Sequence, residues 1–170
     1  MKRRVFIAVI VAAGLVTGRG GLAGQDQGNG VGARLTGFQE VPPILSDGTG
    51  TFNGILSSTS LTYSLTFSGL SSSAFGSHIH FGERGVNGAI VVFLCGGGGK
   101  PACPAGGGTV TGTITGADVL PVLSQGVTAG SFADLLRILN SGDAYVNIHT
   151  TIHPGGEIRG QIPSQSATQN

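Results

Sequence analysis

The stretch Leu61-Thr62-Tyr63-Ser64-Leu65-Thr66-Phe67 decides the fold class. Leu61, Tyr63, Leu65 and Phe67 share one face of an extended chain and Thr62, Ser64 and Thr66 the other, the period of two that a half-buried antiparallel strand requires. Residues 109–114 alternate in the same way, with Thr109, Thr111 and Thr113 opposite Val110 and Ile114. Further strands are expected over 33–38, 51–56, 77–81, 144–150 and 157–162. Residues 89–94 (AIVVFL) are apolar at every position, which fits a strand buried on both faces or a short buried helix. Short apolar segments punctuated by Gly, Pro, Ser and Asn predict an all-β chain, a Greek-key or immunoglobulin-like antiparallel β-sandwich. One segment departs from the pattern. Phe132, Leu135, Leu136 and Leu139 recur at helical spacing, with Ser131 and Asp134 as a start signal and Gly142 as a stop, so one short α-helix is expected before the C-terminal hairpin.

Composition agrees with this reading. The 170 residues include 32 Gly and 7 Pro, and charged residues make up 10%, against a typical value of about a quarter. That excludes helical bundles and coiled coils, while 39% hydrophobic residues are too many for a disordered chain. Lys2, Arg3 and Arg4 precede an apolar run over 5–16, which is too short to span a bilayer and has the length of a secretory h-region. Gly21-Leu22-Ala23 offers a cleavage site, so 1–23 is expected to be a signal peptide; the alternative is an uncleaved anchor. Removing Lys2, Arg3, Arg4 and Arg19 takes Lys plus Arg from 9 to 5 against 8 Asp plus Glu, turning a net charge of +1 into −3. Five scattered cations make no nucleic-acid surface, and no second run is long enough to cross a membrane. The expected product is secreted or periplasmic. It has a flexible lead-in over 24–32, one domain over 33–162 and a disordered tail over 163–170.

Export governs the reading of Cys95 and Cys103. In an oxidising compartment they are expected to form a disulfide around a Gly-rich loop, worth roughly 2.5 kcal/mol by loop entropy. A metal pair is the alternative, although seven intervening residues match no common zinc spacing.

The chemistry-bearing residues are few. There is no G-x-S-x-G elbow for a serine nucleophile, Glu40, Glu83 and Glu157 lie in separate segments, and Gly96 to Gly99 are followed by Lys100-Pro101 rather than by a phosphate-binding helix start. No catalytic residue is therefore assigned. The four His residues fall in two groups, His78 with His80 and His149 with His153. In a straight strand His78 and His80 share a face about 7 Å apart, so one ion could take both only if the strand bends. Three or four imidazoles would suit copper or zinc; the alternative is that they satisfy buried backbone groups. The string AYVNIHTTIHPGGEIRGQ over 144–161 reads as two strands joined by a turn at His153-Pro154-Gly155-Gly156. Glu157 and Arg159 would share a face there as an exposed pair worth about 0.2–1 kcal/mol.

With these residues in view, the chain resembles the chordin-type (CHRD) domain. The likeness rests on LTGFQEVPP over 35–43, which includes Glu40 and Pro42. It continues through SHIHFG over 77–82 with GVNG over 85–88, which includes Asn87 and Gly88. It ends on GDAYVNIHT over 142–150 and PGGEIRGQ over 154–161, which include Tyr145, Asn147, Glu157 and Arg159. The resemblance implies an extracellular β-sandwich acting as a non-enzymatic binding or surface-associated module, with an extracellular ligand it does not identify. In chordin the domain belongs to a protein that sequesters growth factors. This chain lacks the cysteine-rich modules found beside the domain there, so that partner does not carry over. The His78-x-His80 pair, with His149 following, is also similar to the copper ligands of copper–zinc superoxide dismutase. The zinc-loop histidines ending in Asp are missing between Phe81 and Val110, which argues against dismutase activity.

Overall fold

The computed structural model describes residues 29–165; the expected signal peptide and the last five residues of the expected tail lie outside them. The strands are β1 (Asn29–Thr36), β2 (Thr49–Leu56), β3 (Ser60–Ser68), β4 (Ala74–Phe81), β5 (Ala89–Cys95), β6 (Gly108–Thr115), β7 (Ala144–Thr150) and β8 (Ile158–Ile162). A single α-helix, α1 (Phe132–Ser141), precedes β7. All eight strands run antiparallel to their neighbours in one sheet of order β5-β4-β7-β8-β1-β2-β3-β6. The sheet curls until it is nearly a barrel. Its edge strands approach one another, and Tyr63 Oη on β3 donates to Leu94 O on β5 at 2.6 Å. The ladder narrows to one registered pair, Thr36 with Arg159, where β1 meets β8. Gly160 sits at that crossing because a Cβ there would run into Arg34 O.

The alternation in β3 survives intact: Leu61, Tyr63, Leu65 and Phe67 are buried, and Thr62 and Thr66 are exposed. They join Leu35, Phe52, Ile79, Leu94, Val146 and Ile158 in one continuous apolar core, each large side chain worth about 1.5–3 kcal/mol on burial. Residues 89–94 are strand, not helix. In α1 the Asp134 N–H donates to Ser131 Oγ at 3.2 Å, capping the first turn. Gly142 closes the helix in the left-handed region at φ +88°. Phe132, Leu135, Ile138 and Leu139 are buried. Cys95 and Cys103 are disulfide-bonded. Inside their loop Lys100 is held by Asp118 at 2.7 Å and by Thr113 O.

Two expectations change. β1 begins at Asn29, so the last residues assigned to a flexible lead-in are strand, paired along their length with β2; a Gly-rich segment needs no side chains to complete a backbone ladder. In addition, Glu157 and Arg159 are fully buried and do not pair with each other. The reason is β7, which is buried at all seven positions. Its core face carries Ala144, Val146 and Ile148, and its outer face, Tyr145, Asn147 and His149, lies beneath the loops over 37–48, 82–88 and 151–157. Among the described residues no helix is long and apolar enough to cross a membrane.

Candidate metal centre

The outer face of the β4-β7-β8 portion gathers polar side chains by register alone. His78 lies opposite Asn147 and His80 opposite Tyr145; Asn147 lies opposite Arg159 and Tyr145 opposite Gln161. β4 is not straight. Its register slips against β5 between Ser77 and His78 and again between Ile79 and His80, and against β7 between Ala74 and Gly76. Bulges of this kind bend a strand and re-aim its side chains. The His78 and His80 ring centroids come to 5.5 Å, and His149 approaches His78 to 4.8 Å and His80 to 6.1 Å.

The donor atoms of His78, His80 and His149 lie within 4.8 Å of one another. An ion about 2.1 Å from each nitrogen separates two donors by at most about 4.2 Å, so modest ring rotations close the set. His153 stands outside this group, and its backbone closes the turn by accepting from Gly156 N–H.

Hydrogen bonding fixes the ring tautomers. His80 Nδ1 lies 3.0 Å from Gly88 O and His149 Nδ1 lies 2.9 Å from Pro154 O. A carbonyl only accepts, so both Nδ1 atoms carry hydrogen and Nε2 is the ligating nitrogen in each ring, the arrangement that orients metal-binding imidazoles; the His149 Nε2 lone pair accepts from His78 Nδ1–H. His149 Nε2 meets His78 Nδ1 at 3.0 Å. His80 Nε2 has no hydrogen bond of good geometry, although the Asn147 side chain lies near enough to support its cation.

Burial keeps these rings neutral. It pushes His78 down to about 3, with His149 and His80 adding to the effect. Burial also brings His80 to about 4, against the support that the Gly88 carbonyl gives its cation, and it lowers His149 despite the bond to Pro154 O. Glu40, 5% exposed, is pushed up to about 7 by burial, although the Arg159 charge and the Val41 N–H pull it down.

The stability of the metal-free protein follows from these directions. Each imidazole has a lower pKa folded than unfolded, so its contribution is present above about 6.5 and is lost as pH falls toward about 4. Glu40 acts oppositely: its contribution is present below about 4.5 and is lost as pH rises through 7. Three coupled imidazoles outweigh one carboxyl. From pH 7 to 5 the metal-free protein is expected to lose about 2 kcal/mol, read from urea unfolding midpoints. A midpoint unchanged or higher at pH 5 would contradict the neutral cluster.

The remaining motif residues support the histidines. Tyr145 stacks on His80 at 4.7 Å and 5°, and the Arg159 guanidinium lies 3.4 Å over the Tyr145 ring. Arg159 in turn donates to Glu83 O, Val86 O, Asn87 Oδ1 and Gln161 Oε1, pinning the 82–88 loop across the sheet. Gly88 accepts from His80 and donates to Tyr145 Oη, and a Cβ there would collide with Phe81 O. Asn87 Nδ2 donates to Val41 O, just before the cis Pro42. Glu157 accepts from Ser46 Oγ, Ser71 N–H, Ser71 Oγ and Thr150 Oγ1. Burial alone would raise its carboxyl, but these donors hold it below the usual range. The sequence marks Glu40 and Asn147 only as motif positions; the structure puts Asn147 opposite His78 and Glu40 next to Asn147 at Gly156.

A family model described as CHRD domain matches residues 31–162. No curated protein and no solved structure matches the chain.

Proposed function

The chain belongs to the CHRD domain family, and on that premise we propose that it is an exported, extracytoplasmic binding module that holds one copper or zinc ion through His78, His80 and His149. The observation that carries this reading is the convergence of three buried, neutral imidazoles. Two of them have Nδ1–H groups spent on backbone carbonyls, which leaves Nε2 as the ligating nitrogen. An all-nitrogen set favours copper or zinc over hard cations. Ion binding would replace a lone imidazole–imidazole hydrogen bond by several nitrogen–metal bonds. The disulfide and the basic, apolar N-terminus of the sequence support an oxidising compartment. The near-barrel sheet, narrowed to one pair between β1 and β8, supports describing the fold as a Greek-key, immunoglobulin-like sandwich.

The test is metal content. Purified protein exposed to copper or zinc and then dialysed is expected to retain one equivalent per chain; retention of none would remove the metal reading. A second reading, a module that binds an extracellular ligand without metal, draws on Phe38 at 68% and Ile152 at 61% exposure on the loops flanking the cluster. It would stand if metal retention failed.

A further inference from the structure

Among the described residues, the buried side-chain polar atoms without a hydrogen-bond partner are Glu40 Oε1, His80 Nε2 and Asn147 Oδ1. Their residues are no more than 6% exposed. Each such atom costs about 1–3 kcal/mol when left unpaired, and these three sit together. The Asn147 side chain borders His80. Asn147 Nδ2 and Glu40 Oε1 both border the space that a Cβ on Gly156 would fill, the former at 2.9 Å from it. Gly156 is at φ +129°, and its missing Cβ lets Glu40 and Asn147 pack close against its backbone.

All three orphaned atoms are acceptors. His80 has spent its one N–H on Gly88 O; the others are an amide oxygen and a carboxyl oxygen. Unpaired acceptors in one buried neighbourhood are satisfied only by a cation or by a molecule that donates hydrogen bonds. On the Glu40 side a cavity of about 290 Å³, lined by Glu40, Asn87, Pro154 and Gly156, reaches the surface at the exposed Ile152. It has room for water and offers the polar partners that water needs. Three protein nitrogens also leave a tetrahedral ion one position short.

We propose that the bound ion keeps an open coordination position facing Asn147 and Glu40, and that these two side chains hold an exchangeable water there, supplied through the cavity beside Gly156. The proposal rests on the metal reading above and adds to it. The site is then open to small exogenous ligands instead of being closed for storage, and Asn147 and Glu40 are positioning residues for what binds there.

The experiment is the water-proton relaxation rate of the full chain loaded with one equivalent of Cu(II). The wild type is expected to show a severalfold enhancement over the metal-free protein. Gly156→Ala, whose methyl would push Glu40 and Asn147 from their places, is expected to keep its copper and to lose at least half of the enhancement. Because Gly156 has a left-handed backbone, that variant can fail to fold, so Asn147→Leu is the second variant, with the same expectation. Wild-type protein that takes up no copper overturns the metal reading and this proposal together. Copper bound without enhancement overturns this proposal alone; it is the result expected if a protonated Glu40 and a reversed Asn147 amide close the gap. Unchanged enhancement in a folded, loaded variant, or loss of copper itself from Asn147→Leu, also overturns it.

Discussion

Replacing His80 by alanine is expected to lower copper affinity more than 100-fold, about 3 kcal/mol, measured by competition against a chromophoric chelator. Loss of a residue that merely orients a ligand already costs about 10- to 100-fold, and on the proposed reading His80 is one of three ligands with no fourth imidazole in the cluster. Its Nε2 has no other bond to give up, so the wild type gains the whole of its coordination energy. The matching control is His153→Ala. That residue sits beside His149 in sequence terms but outside the cluster, and its loss is expected to change affinity by no more than about twofold. Equal losses in the two variants would mean that the converging trio is not the site.

Glu157→Gln is expected to destabilise the protein by about 3 kcal/mol, read from urea unfolding at pH 7. Four hydrogen bonds converge on this carboxylate, from Ser46 and Ser71 N–H to one oxygen and from Ser71 Oγ and Thr150 Oγ1 to the other. An amide of the same shape presents an NH₂ group to one of these pairs. The Ser71 and Thr150 hydroxyls must then turn and accept from it, and bonds to a charged group, worth about 1.5–3 kcal/mol each, are replaced by weaker neutral ones. The residue ties the 46–48 turn and the 71–73 segment to the end of β7, so the cost falls on the loops that cover the histidines. A change below about 1 kcal/mol would place Glu157 on an ordinary surface.

That last point marks where the sequence stops being legible. In β3 and β6 one face meets the core and the other meets solvent, so alternation alone identifies them; Ser131 and Gly142 bound α1 by local chemistry. β7 obeys the same alternation but is buried on both sides, because the loops over 37–48, 82–88 and 151–157 fold across its polar face. Tyr145, Asn147 and His149, followed by Glu157, Arg159 and Gln161, form a polar stripe without a single Lys. A stripe of that kind is the available signal that the face is covered rather than solvated. The convergence of His78 and His80 was conditional on a bend, and the bend comes from register slips set by β5 and β7, which no local pattern encodes. Glu40 is remote in sequence from Asn147 and comes next to it only because its loop closes over the sheet.

X-ray absorption at the zinc edge of the one-to-one zinc complex tests the central claim most directly. The account predicts three imidazole nitrogens at about 2.0–2.1 Å and one further light atom in a tetrahedral shell. A shell of six oxygens, or one containing a single imidazole, would contradict it.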